Sequence, residues 1–344
     1  MGRNRSDLIV FVGRRLVQLV PVLLGVMIIT FFFTHVAVPD PCAIWAGAHA
    51  QPYQIQNCRS TFGLDKPLPD QFVAYLSSLL SGNWGKNPPS TVLAGTPVLT
   101  SIAIAFPETL ELVIAALLIM VVIGIPLGVA AASNSGRWVD HLVRTLYLSG
   151  WATPTYLGGV VAAIAIGPAL GLPSTGTFSS NPTFAQPLHF SVLDALFAGN
   201  LGATLDAILH LILPASALAF LNLGIATRMT RGSMLEVLPM DYIKTARMKG
   251  LSDFWVLYKH ALRNSLISTT TVLGITAGTL LSGTVVIENI FQWPGIGFYA
   301  YDAILHYNFV GTIAVVIVFA AGVVVANLVA DIMYGFLDPR VEWR

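Results

Sequence analysis

Charge is what this chain has least of. Asp, Glu, Lys and Arg make up only 10% of its 344 residues, against roughly a quarter in an ordinary soluble domain. Hydrophobic residues reach 55% and the mean hydropathy is +0.73, which excludes a soluble globular domain and defines an integral membrane protein. Chemistry is scarce as well. No phosphate-binding loop is present, since Gly82-Asn83-Trp84-Gly85-Lys86 has the wrong spacing. The seven His are scattered without metal-ligand spacing, and no nucleophile–base arrangement exists. The chain is therefore read as non-enzymatic, with no cofactor or metal of its own. Ionisable groups deep in the apolar runs, which an ion-driven carrier needs, are also missing: Asp206, Glu288 and Asp331 fall at or near run ends. Any energy source has to be borrowed. The only cysteines are Cys42 and Cys58, both in one polar segment. A disulfide between them is chemically permitted and would contribute about 3 kcal/mol; two free thiols are the alternative.

What is present is apolar length. Six stretches meet the requirement of about twenty residues for a spanning helix: Leu16–Val38, Leu112–Ser133, Thr145–Leu172, Ala207–Thr227, Asn264–Ile287 and Phe309–Ala330. None alternates strictly, which favours helices over barrel strands. The run Leu16–Val38 is longer than a signal-peptide core, so it is expected to stay as a membrane anchor. Fifteen of the eighteen Lys and Arg lie before the first run, between the second and third, between the fourth and fifth, or after the sixth. Only Arg59, Lys66 and Lys86 lie on the other side. The positive-inside rule then puts both termini in the cytoplasm of a multi-pass protein of the cell membrane. The expected organisation is a cytoplasmic N-terminus over 1–15, a first span over 16–38, an external region over 39–106, and a core over 107–344.

Several side chains invite specific readings. Phe72, Leu76, Leu79 and Leu80 share one helical face in the external region, which predicts a helix along the membrane surface or capping the bundle. Pro107 is expected to open the second span, with Glu108 and Glu111 in its first turn, where the helix dipole favours carboxylates. Gly124-x3-Gly128 and Gly274-x3-Gly278 suit close helix packing. His210 beside Pro214 is read as a packed histidine near the outer end of its span. Asn327 and Asp331, four apart, could pair near the inner surface.

The most informative segment is 228–263, which carries seven Lys and Arg between two spans. Asp241 can cap a short helix in which Tyr242, Ile243 and Ala246 form an apolar patch ringed by Lys244, Arg247 and Lys249. Gly250 suits the left-handed position after that helix, and Ser252 can cap the next. Such a helix fits a groove in another protein. It equally fits a surface of anionic lipid.

Here the residues resemble a known family. Lys244-Thr245-Ala246, then Gly250 four residues on, is similar to the EAA-x3-G signature of permease subunits in type I ATP-binding-cassette importers, in the form used by oligopeptide/dipeptide permeases. Arg14-Arg15-Leu16 through Val26, Phe62–Leu68, Pro107–Leu112 with Gly124–Gly128, Arg231–Leu238, Trp293-Pro294-Gly295-Ile296-Gly297 and Leu337–Arg340 resemble that family's remaining motifs, in order. The resemblance implies an all-α protein of six transmembrane helices with the type I permease fold and an extended first external loop. It implies ATPase coupling through Asp241, Tyr242, Ile243, Thr245, Ala246, Gly250 and Leu251. It implies a second permease, two ATPases that use ATP and Mg, and an extracellular solute-binding protein; no nucleic-acid partner is expected. Glu288, Trp293, Gly295 and Gly297 would sit at the outer mouth near that receptor, or else form an interfacial aromatic anchor and turn. Members of this family carry peptides, nickel or oligosaccharides. The expected function is ATP-driven import of oligopeptides, dipeptides or a similar solute by alternating access, and the rival is an ion-coupled carrier acting alone. Pro39-Asp40-Pro41, where the family has Pro-Gly-Asp-Pro, and the long 174–202 loop depart from the pattern.

Overall fold

A computed structural model describes residues 5–36, 42–43 and 50–337. The Pro39-Asp40-Pro41 motif, the terminal motif beyond Leu337, and three of the arginines counted above, Arg3, Arg340 and Arg344, lie outside them. Among the described residues the protein is helical, with one isolated bridge between Lys86 and Pro97. In chain order the helices are α1 (Arg5–Val36), α2 (Pro52–Phe62), α3 (Leu68–Leu80), α4 (Val98–Ile119), α5 (Ile125–Ser133), α6 (Trp138–Ala152), α7 (Thr155–Val161) and α8 (Gly167–Leu170). They continue with α9 (Ser191–Phe197), α10 (Leu201–Val237), α11 (Asp241–Met248), α12 (Asp253–Trp255), α13 (Leu262–Gly283), α14 (Val285–Ile290), α15 (Ile296–Leu305) and α16 (Phe309–Leu337). Single π-helical turns join α4 to α5, α7 to α8 and α12 to α13.

Five of these rods are long and apolar enough to cross a membrane: Val12–Phe33, Val98–Ser133, Leu201–Val237, Asp253–Gly283 and Phe309–Ile332. The sixth differs from expectation. Thr145–Leu172 is not one helix; Trp138–Ala152 and Thr155–Leu170 meet at 106°. The reason is local. Pro154 has no amide hydrogen to continue the helix and forces its predecessor out of helical geometry, so Thr153 is extended at φ −81°, ψ 123°.

α10 is the axis of the bundle, in contact with α4, α5, α6, α9 and α13. Small residues permit that approach, as their spacing suggested. A Cβ on Gly128 would lie 2.6 Å from Thr230 Cβ and 2.8 Å from the Thr227 carbonyl oxygen. Gly124 faces Ala226 and Leu223 across the same seam, and Gly278 lets α13 lie against Ala326 and Val323 of α16. α1 packs on the flank of α16, where Arg15 bonds Asp331 at 2.8 Å. Asp331 therefore pairs across helices instead of with Asn327. α3 caps this flank: Phe72 and Tyr75 lie 5.3 and 6.0 Å from Phe31 of α1, and Leu76 and Leu79 join them. Leu80, expected on that face, is 82% exposed. Cys42 and Cys58 are bonded, with Cα atoms 5.7 Å apart.

Candidate functional site: the α10–α13 corner and the buried knot beside α14

The basic segment folds as predicted in outline. α10 ends at Val237, and α11 follows after Met240 in extended conformation (φ −66°, ψ 149°). Asp241 stands one position inside the helix and bonds Lys244 at 2.9 Å instead of capping; a carboxylate in the first turn is still favoured by the helix dipole. Thr245 Oγ1 donates to the Asp241 carbonyl at 2.9 Å. The helix stops where Gly250 turns left-handed at φ +76°, with its amide on the Arg247 carbonyl at 2.9 Å and the Leu251 amide reaching the Ala246 carbonyl. A Cβ on Gly250 would meet nothing within 4 Å. Only backbone conformation, not crowding, demands glycine there. Ser252 occupies the position before α12 and makes no side-chain cap.

The apolar face of α11 points the other way from expectation. Ile243 is fully buried and Ala246 nearly so, packed with Val129 and Ala132 of α5, Met234 and Val237 of α10, and Val256 and Ala261 of the following elbow. Tyr242 is half-exposed, and its hydroxyl accepts from Asn264 Nδ2 at 2.7 Å. These side chains clip α11 to its own bundle, because an apolar face that meets a neighbouring apolar surface in the same chain is buried there first. What α11 offers outward is Lys244, Thr245, Met248, Lys249 and Gly250, followed by Leu251. Met248 is 80% exposed. A partly buried ion pair braces the corner: Arg231 of α10 grips the buried Asp140 of α6 through two bonds of 2.7 Å, and the Gly136 amide donates to the same carboxylate at 3.0 Å.

The second group from the sequence forms a closed knot. Glu288 is fully buried and accepts from Thr109 Oγ1 (2.8 Å), Thr284 Oγ1 (2.7 Å) and the Phe298 amide (2.9 Å). Burial pushes its carboxyl up from the ordinary value, while the Thr284 and Thr109 hydroxyls and the Phe298 and Gly297 amides pull it down. Trp293 is fully buried too, with Nε1 donating to the Glu108 carbonyl at 2.9 Å. Gly295 and Gly297 are required by crowding: a Cβ would stand 2.5 and 2.9 Å from Glu288 Oε2. These four residues therefore neither form an exposed contact surface nor anchor at an interface; they tie α14 and α15 to α4. Burial of a Trp with its one donor satisfied is worth more than an exposed contact.

Glu108 and Glu111 depart from their expected roles for a related reason. α4 begins at Val98, so Pro107 lies inside the helix and both carboxylates fall mid-helix. Glu108 accepts from Ser191 Oγ at 2.7 Å and Glu111 from the Val192 amide at 3.0 Å. Asp194 accepts from the Leu188 and Phe190 amides. The three pin α9 and its approach to α4. The Arg231–Asp140 brace and the Glu108–Ser191 pin were not foreseen; for the pin the available signal was a carboxylate at the edge of an apolar run, and for the brace there was none. His210 is buried, with Nδ1 2.8 Å from the Asp206 carbonyl.

Two family models cover the chain. Residues 8–113 match the N-terminal part of the binding-protein-dependent transport system membrane component, and residues 124–343 match the binding-protein-dependent transport system inner membrane component. A probable D,D-dipeptide transport system permease protein of Escherichia coli (strain K12) is 41% identical over 94% of each chain. A di/tripeptide transport system permease protein of Pseudomonas aeruginosa (strain UCBPP-PA14) is 38% identical over 96% of this chain and 98% of its own. A glutathione transport system permease protein of Salmonella paratyphi A is 33% identical over 97% and 99%. The inward-facing methionine ABC transporter overlays with a TM-score of 0.49 and 16% identity, covering 67% of this chain and 93% of the other; nothing below rests on that overlay. With its helical rods and short basic corner helix, this chain belongs to the binding-protein-dependent transport system inner membrane components. It is a multi-pass permease of that class, and the ion-coupled alternative finds no support among its relatives.

Proposed function

We propose that the chain is one permease subunit of an ATP-driven importer of short peptides, with α11 as the element that receives force from an ATPase subunit. The substrate class rests on relatives named for D,D-dipeptides, di- and tripeptides and glutathione, which match nearly end to end. Both termini face the cytoplasm, because fifteen of eighteen Lys and Arg then lie inside. A second homologous permease, two ATPases holding ATP and Mg, and an external solute-binding protein complete the assembly. Nucleotide-driven closure of the ATPases moves two such corners together and shifts the permeases between inward and outward packings.

The observation that carries the coupling role is the division of α11 into two faces. Ile243 and Ala246 fasten it rigidly to α5 and α10, while Thr245, Met248, Lys249 and Leu251 project outward and the Gly250 turn ends the helix abruptly. A lever needs both a rigid mount and an exposed contact. The expected contact is therefore Thr245, Met248, Gly250 and Leu251, beside the exposed Asp241, with Tyr242, Ile243 and Ala246 as its mount.

The test is co-purification with the cognate ATPases. Met248→Asp should lower ATPase recovery at least tenfold and leave the thermal midpoint of the isolated permease unchanged. ATPase recovery equal to wild type would remove α11 from the coupling role. Peptide uptake that persists in vesicles lacking ATPases but holding an ion gradient would overturn the importer assignment itself.

A further inference from the structure

We propose that the elbow 253–263, which joins α11 to the spanning helix α13, is a binding surface for anionic phospholipid headgroups. Lys259 and Arg263 take the lipid phosphate, and Phe254, Trp255 and Tyr258 sit at headgroup level. The assignment rests on length, exposure and charge, and it is separate from the coupling role of α11.

Length comes first. The rod Asp253–Gly283 has 31 residues, about 46 Å at 1.5 Å per residue. A bilayer is about 40–45 Å thick with its headgroups and about 30 Å without them. The rod is therefore about 16 Å longer than the hydrocarbon is thick, enough for its basic first two turns to lie in a headgroup layer. Those turns are built unlike the rest of the rod. Phe254 is 62% and Trp255 53% exposed, and the three rings cluster, with Phe254 5.9 Å from Trp255 and 4.9 Å from Tyr258. Val256 and Ala261 point inward at the two ends of the π-helical turn and are fully buried. The widened turn keeps both in the core while the aromatic trio and Lys259 stay outside.

Charge decides the occupant. Lys259 Nζ lies 5.4 Å over the Trp255 ring, and neither Lys259 nor Arg263 meets a carboxylate among the described residues. The one acid of the elbow, Asp253, is 83% exposed and stands 3.9 Å from Arg247, which leaves Lys259 and Arg263 uncompensated. Exposed aromatics interleaved with free cations at a helix's entry into the membrane form the arrangement that headgroup layers favour. A protein groove would match the rings but leave both cations to find partners of their own.

The full-length chain, purified in a mild detergent and examined by native mass spectrometry, tests this with palmitoyl-oleoyl phosphatidylglycerol and phosphatidylcholine as probes. Wild type should retain phosphatidylglycerol in clear preference. Lys259→Gln with Arg263→Gln should reduce that preference, by roughly fivefold for each cation. Lys244→Gln, whose charge is already paired with Asp241, should leave it within twofold. Equal retention of the two lipids by wild type would overturn the proposal, as would an unchanged preference in the double variant or an equal loss in Lys244→Gln. Both substituted side chains are exposed, so a failure of folding does not confuse the result. A photo-crosslinker at Tyr258 in the native membrane should label lipid; labelling of an ATPase instead would also overturn it.

Discussion

The α11 corner and the buried knot beside α14 handle charge in opposite ways. At the corner, Lys244, Arg247, Lys249, Lys259 and Arg263 stand exposed, and the Arg231–Asp140 pair beneath them is partly buried. At the knot, Glu108, Glu111, Asp194 and Glu288 are all buried and each meets hydroxyl or amide donors. Exposed charge keeps its hydration at little cost and stays available to a partner. A buried carboxylate is held only where donors meet it, and one oxygen each of Glu108 and Glu111 is left without a partner. The corner is thus built to be handed to something else, and the knot is built to hold the chain to itself.

The largest test of this contrast is Trp293→Ala. Loss of a fully buried indole that bonds the Glu108 carbonyl should cost about 3–5 kcal/mol and lower the thermal midpoint sharply, with the purified protein aggregating early. A midpoint equal to wild type would mean that the knot is not a fastener. Next is Asp140→Ala, which leaves the partly exposed Arg231 without its partner and should cost about 2 kcal/mol, read by the same melt. If the corner is as rigid as described, coupling to ATPase should fall with it even below the melting range. Smallest in stability is Gly250→Ala, where a positive φ costs about 1 kcal/mol for a non-glycine residue and no atom is in the way. Its melt should barely move while ATPase co-purification falls several-fold. A large stability loss with normal co-purification would reverse the contrast.

Much of this was legible beforehand. Long uncharged runs named the spanning helices, because a bilayer leaves few other solutions for twenty apolar residues in a row. Lys244-Thr245-Ala246 and Gly250 announced the corner helix and its stop, and the small-residue spacings announced close helix packing at Gly124, Gly128 and Gly278, without its partners. The orientation of α11 was not legible. Tyr242, Ile243 and Ala246 read as an apolar patch whether it docks in a partner or in Val129 and Met234. Glu108 and Glu111 read as the start of a span because a carboxylate in an apolar run has two homes, solvent at a helix end or a donor brought from elsewhere. Ser191 and Val192, some eighty residues away, supply the second.

From its sequence alone this protein is a multi-pass membrane protein with a basic corner between two spans, since composition, periodicity and charge asymmetry are properties of single segments; its transport role came from the resemblance of its motifs to a permease family. Which face of α11 is free, where the third span breaks its axis, and that Glu288 and Trp293 close inward are decided by the tertiary structure. Each depends on the surface that another stretch of chain brings within hydrogen-bond or van der Waals reach, and no local pattern encodes that.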